Sequence, residues 1–115
     1  MKLPNGDRAI VDTRKLQEYC LNPQHPRGRH KARVFASVGI RRDDAEEISI
    51  ALLAAASSGE ARLTTANLYG ERYIVDFDLV REGRAALGKR TVKIRSTWIV
   101  RTGEHLPRLT SCYVL

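Results

Sequence analysis

Tyr73-Ile74-Val75-Asp76-Phe77-Asp78-Leu79 sets Tyr73, Val75, Phe77 and Leu79 against Ile74, Asp76 and Asp78. A period of two predicts a strand with one face buried and one face wet. The same pattern returns downstream, where Val92, Ile94, Ser96, Trp98 and Val100 alternate with Thr91, Lys93, Arg95, Thr97 and Ile99. Ser96 and Trp98 share the more apolar face of this second strand. A weaker strand is expected from Arg62 to Leu68, with Tyr69-Gly70 in the turn after it. A last one is expected from Arg108 to Leu115, where Thr110 sits among Leu109, Ser111 and Tyr113. Arg81 to Arg90, holding Gly83, Gly88 and four cations, reads as an exposed, solvated hairpin loop.

Upstream the spacing is helical. Asn5-Gly6 marks a turn, and Ala9-Ile10-Val11 is long enough only for a short strand or a lead into a helix. Asp12 is a candidate N-cap for a helix through Thr13 to Leu21, with Leu16, Tyr19 and Cys20 as its apolar stripe and Asn22-Pro23 as its stop. A second helix is expected over about His30 to Val38. Its buried face reads as Lys31, Val34, Phe35 and Val38, and Gly39 is its terminating glycine. Asp43 with Glu46 reads as a capping box opening a third helix that runs to about Ser57 and closes at Gly59. The buried face of that helix is Ala45, Ile48, Leu52 and Ala55.

Three helices followed by three or four antiparallel strands predict an α+β fold, with the N-terminal helices on one face of a β-meander. The 115 residues make one domain, helical over about 1–59 and meander over about 60–115. Cys20 and Cys112 form no C-x-x-C, so they signal neither a zinc site nor a redox pair and are expected to be buried, reduced thiols. No apolar run approaches membrane-spanning length, and Met-Lys-Leu-Pro-Asn-Gly-Asp lacks the apolar core of a signal peptide, so the expected location is the cytoplasm.

Twenty Lys and Arg against thirteen Asp and Glu give a net charge of +7 and a pI near 9.9, the electrostatic footprint of a polyanion binder. Most of these cations are arginine, whose planar fork suits phosphate and base stacking. They crowd into Asn22 to Phe35, where His25, Arg27, Arg29, His30, Lys31 and Arg33 lie close together. Pro23, Pro26 and Gly28 hold off a helix until about Arg29, so a stiff loop feeds a helix N-terminus, a setting that favours an anion. Lys31 continues a core stripe at its open end, and such a lysine needs a snorkelling path or an anionic partner.

Several chemistries lack their residues. His25, His30 and His105 lie at no ligand spacing, so no metal is expected; no G-x-S-x-G elbow and no Gly-rich phosphate fingerprint occur, so no cofactor is expected either. Metal-free RNA cleavage by the ribose 2′-OH keeps all its parts. His25 or His30 would serve as acid or base, and Lys31 with Arg27 or Arg29 would hold the phosphorane charge. Ser96 and Thr110 would orient the phosphate, and Trp98 would offer a face to an unstacked base. Each residue also has a plainer reading: Trp98 as core, Ser96 and Thr110 as ordinary strand residues, His25 as a loop hydrogen-bonder.

The pattern His25-Pro26-x-Gly28-x-x-Lys31-Ala32-x-x-Phe35, then Ser96-x-Trp98, then Pro107-x-Leu109-Thr110, resembles a small bacterial domain family of unknown function that occurs alone or at the C-terminus of toxin-like proteins. The order of elements is similar to the barnase, EndoU, colicin D and RelE superfamily of metal-independent ribonucleases. Arg27, Arg29, His30 and Lys31 followed by Ser96 and Trp98 resemble the active-site layout of colicin D-type tRNases, with arginines where those enzymes carry lysines. The resemblance implies a toxin-type endoribonuclease acting on RNA such as tRNA, with Arg33 joining Arg27, Arg29 and Trp98 on the substrate. It also implies an acidic antitoxin or immunity protein as partner. The alternative is a non-catalytic RNA-binding or toxin-regulating module of the same fold.

Overall fold

The structure, a computed structural model, describes residues 1–82 and 89–115. Its sheet is an open antiparallel meander of β1 (Ala61–Asn67), β2 (Gly70–Glu82), β3 (Lys89–Arg101) and β4 (Arg108–Val114), ordered β1-β2-β3-β4. Tyr73 pairs with Trp98, Val75 with Ser96 and Leu79 with Val92, so the apolar parity of both long strands falls on one face. That face lies under the helices, and Val75, Ile94 and Trp98 are fully buried there. The open face carries the other parity, with Asp76 opposite Arg95 and Asp78 opposite Lys93. This is the α+β arrangement expected from the alternation. Arg81 and Arg90 pair with each other inside the hairpin, rather than in a loop, and the expected loop at residues 83–88 lies outside the described residues.

The first helix, α1, is short. Asp12 Oδ1 accepts the Lys15 N–H at 3.2 Å and opens an α-helical turn, Thr13–Lys15, which continues as a π-helical stretch, Leu16–Cys20. The wider turn closes with the Leu21 N–H on the Leu16 carbonyl at 2.8 Å, and Leu16, Cys20 and Leu21 all face the core.

Helix α2 spans Arg29–Ser37. Its buried residues are Ala32 and Phe35, whereas Val34 is 45% exposed, so the expected stripe is rotated: Phe35 keeps its place and Val34 turns to solvent. The helix ends as predicted at Gly39, with φ +85°. Ile40 N–H reaches the Phe35 carbonyl and Gly39 N–H the Ala36 carbonyl, a Schellman closure that buries Ile40 against the core.

A 3₁₀ turn, Arg42–Asp44, leads into α3, Ala45–Ser58. The capping carboxylate is Asp44, not Asp43, and it serves the 3₁₀ turn: its Oδ2 accepts the Arg41 N–H at 2.9 Å, while α3 itself has no side-chain cap among the described residues. Ala45, Ile48, Leu52 and Ala55 are buried as the spacing predicts. Arg81 then fastens the hairpin to this corner, donating to the Gly39 carbonyl at 2.6 Å and meeting Asp44 at 3.5 Å and Glu47 at 3.1 Å.

The N-terminal segment laces the sheet at both ends. Lys2 bridges antiparallel to Glu60, and Ile10 bridges parallel to Arg108, where Leu109 N–H reaches the Ile10 carbonyl at 3.0 Å. Ile10 is thus a strand residue of one bridge, the shorter of the two outcomes expected for Ala9-Ile10-Val11. No helix among the described residues is long and apolar enough to cross a membrane.

Candidate functional site

The basic loop packs hard against α1. A Cβ on Gly28 would collide with the Tyr19 carbonyl oxygen, so only glycine lets the loop lie this close. His25 organises the loop from within: its Nδ1 accepts both the Arg27 and the Gly28 N–H at 3.1 Å, its carbonyl accepts the Arg29 N–H, and its ring meets Tyr19 edge-on at 4.7 Å. The amides of Arg27, Gly28 and Arg29, which lead into α2, are therefore spent internally. With Nδ1 accepting, the proton of the neutral ring sits on Nε2, leaving no free lone pair for base catalysis. His25 is a loop organiser in this structure.

Arg27, Arg29, His30 and Arg33 are all exposed, and none has an ion-pair partner among the described residues. His30 precedes Lys31, and adjacent helix positions do not share a face. Lys31 is half-buried and points to the β4 edge, where Nζ donates to Ser111 Oγ at 3.2 Å and lies 5.2 Å from the centre of the Tyr113 ring.

Tyr113 pairs with Arg95 across the sheet, and Arg95 grips Asp76 with both forks at 2.8 Å. The Arg95 guanidinium holds the Asp76 carboxyl below its usual range, and Asp76, with the Tyr113 oxygen as a further acceptor, raises Arg95. Beside them, Thr97 pairs with Ser111 but Trp98 pairs with Leu109, so Thr110 is the extra residue of a bulge. Thr110 Oγ1 lies 2.6 Å from Thr97 Oγ1 and donates to the Thr97 carbonyl at 3.0 Å. The structure thus assembles Lys31, Ser111, Tyr113, Arg95, Thr97 and Thr110 along the seam of α2 and β4.

Ser96 and Trp98 are elsewhere. Both are fully buried on the helix side; Ser96 Oγ donates to the Val75 carbonyl at 2.7 Å and accepts the Trp98 indole N–H at 2.9 Å. Neither a phosphate nor a base reaches them while the core is closed, and the plainer reading of both holds. The residues missed by sequence reasoning, Arg95, Thr97, Ser111 and Tyr113, have the opposite parity. Alternation itself was the signal, since the polar parity of a covered sheet is the face that a ligand can meet.

The thiols complete the seam. Cys20 and Cys112 are both buried and free, as expected, but fold brings them together. The Cys112 thiol and backbone, the Ser111 hydroxyl and the nearby Lys31 charge lower Cys20 to about 6 against the opposing effect of burial, while its partner and burial push Cys112 up.

Among the described side chains, the open face carries six cations, Arg62, Arg72, Lys93, Arg95, Arg101 and Arg108, against the strand carboxylates Asp76 and Asp78 and the turn carboxylate Glu104, which meets Arg101 and Arg108. No group of three or more His, Cys, Asp or Glu among the described residues is placed to hold a metal ion.

Over residues 2–115 the chain belongs to the family described as a domain of unknown function, DUF6883. No curated protein and no solved structure matches it.

Proposed function

We propose that this member of a family of unknown function is an RNA-binding module that holds a single strand across the open sheet face and the α2–β4 seam. The observation that carries this reading is Lys31, an ammonium positioned by Ser111 and Tyr113 at the edge of a face whose six cations outnumber the three acids that meet them. A phosphate beside Lys31 would meet the Ser111 hydroxyl and the Arg95 guanidinium. The sugar-phosphate chain would then run along the arginine rows of the sheet.

A second reading, a toxin-type metal-independent endoribonuclease, is favoured by the meeting of Lys31, Tyr113 and Arg95. In it the ribose 2′-OH attacks the adjacent phosphorus, the 5′ oxygen leaves with a proton, and a cyclic phosphate remains. Lys31 and Arg95 would neutralise the phosphorane, and His30, rather than the internally bonded His25, would be the histidine open for proton transfer, although it would have to reach the phosphate from the flank of α2 next to that of Lys31. An acidic protein, antitoxin or immunity factor, would compete with RNA for the same charges.

One experiment separates the readings. Wild type, Lys31→Ala and Arg95→Ala are expressed in a bacterial host, total RNA is run on a denaturing gel, and the purified proteins are titrated with a single-stranded RNA at several salt concentrations. The binding reading expects intact RNA and an affinity that falls steeply with salt and drops in both variants. Discrete fragments from wild type alone would establish the ribonuclease instead. An affinity independent of salt and of Lys31 would remove both.

A further inference from the structure

We infer that the cleft beside the β1–β2 turn is a pocket for one unstacked nucleobase with its phosphate, an inference that rests on the RNA reading and specifies its ligand. The cleft encloses about 530 Å³, within the range of small-ligand sites, and lies on the open face at the end opposite the β2–β3 hairpin. Its floor is Ile99, an isoleucine on the wet parity of β3 that is nevertheless only 7% exposed. Tyr69 forms part of its wall at 70% exposure, and Arg72 and Arg101 stand on its rim with Thr110 of the bulge.

Tyr69 is held in place by its backbone. Its N–H reaches Asn67 Oδ1 at 2.9 Å, its carbonyl accepts the Thr102 N–H at 3.1 Å, and Thr102 Oγ1 donates to the Leu68 carbonyl at 2.8 Å. Gly70 follows with φ +143°, where any Cβ would strike the Val100 carbonyl oxygen. The turn is over-determined, yet the ring that it presents is left in water. A tyrosine loses little side-chain freedom on binding, so an exposed ring on a fixed backbone, beside an apolar floor, suits stacking.

Charge fixes the kind of occupant. Arg72 has no ion-pair partner among the described residues, and Arg101 approaches Glu104 only at 3.8 Å. Two cations flanking an aromatic wall and an aliphatic floor complement a planar ring that carries an anion, as a nucleotide does. Thr110 belongs to both the cleft and the Thr97–Thr110 pair, so the pocket continues into the Lys31 seam along β4.

The test uses the whole chain, isotopically labelled, with uridine 5′-monophosphate and adenosine 5′-monophosphate as probes and ribose 5-phosphate as the baseless control. Both nucleotides are expected to shift the amide signals of Tyr69, Ile99 and Thr102, and the control to shift them far less. Tyr69→Ala should weaken nucleotide binding about tenfold or more, and Tyr69→Phe should preserve it. Equal shifts from ribose 5-phosphate, or no loss in Tyr69→Ala, would overturn the pocket. Because the mononucleotides need no long strand, their binding stands or falls apart from the RNA titration. A pocket that takes nucleotides in a protein that ignores RNA would refute the RNA reading alone.

Discussion

Lys31 is held by two unlike partners, a hydroxyl and an aromatic ring. Replacing it with methionine keeps most of the apolar stem and removes the charge. Lys31→Met is therefore expected to weaken RNA binding uniformly across sequences and to reduce the slope of log affinity against log salt by about one, with the thermal midpoint little changed. Ser96→Ala should do the reverse. It strands the buried Trp98 indole N–H, at a cost of about 1–3 kcal/mol in urea unfolding, and leaves RNA affinity of the folded protein intact. The thiols predict a pH dependence whose sign differs between them. Cys20 lies at about 6 in the fold against 9.0 ordinarily, so between those values the folded chain binds fewer protons than the unfolded one. Its contribution to stability is complete above the ordinary value and disappears as pH falls through about 6. Cys112, pushed up, contributes fully below the ordinary thiol value and loses that contribution as pH rises beyond it. Urea midpoints measured over a pH series should show the gap between wild type and Cys20→Ala widening from about pH 6 to 9.

At the scale of elements, Arg81 joins the end of β2 to the Schellman corner after α2 and to the first turn of α3. Its carbonyl bond and two partly buried ion pairs are expected to make Arg81→Ala destabilising by about 1–3 kcal/mol, read as a lowered urea midpoint. The strands were legible because a period of two needs no knowledge of what covers the sheet. The helix faces were less so. Ala32 lies three residues before Phe35 and Val34 four before Val38, so both fit a helical stripe, and the choice between them depends on the angle at which α2 meets β4, which no local pattern encodes. The candidate site divides in the same way. Lys31 stands out in the sequence as a charge on an apolar stripe, but Ser111 and Tyr113 matter only because β4 lands beside α2, and their spacing from Lys31 says nothing of that. Ser96 and Trp98 drew notice as a motif, although their apolar parity already placed them with Val75 and Ile94 in the core.

Across the whole molecule, the division is between a covered face that holds the fold and an open face that keeps its charge. The hairpin of β2 and β3 serves both, sending Tyr73, Val75 and Trp98 one way and Arg72, Arg95 and Arg101 the other. The first eleven residues stand outside this arrangement and join its two ends, at Glu60 and at Arg108. On the ribosome that lacing is a matter of timing. Ile10 is synthesised well before its bridge partner Arg108 in β4, so this end of the N-terminal segment stays unpaired after the Lys2–Glu60 bridge can already form. The helices and the β2–β3 hairpin can form from neighbouring sequence, whereas the closing step joins Ile10 to a strand made much later. The domain is therefore completed in one late event, after translation has passed Arg108, and acquires the seam beside Lys31 only then.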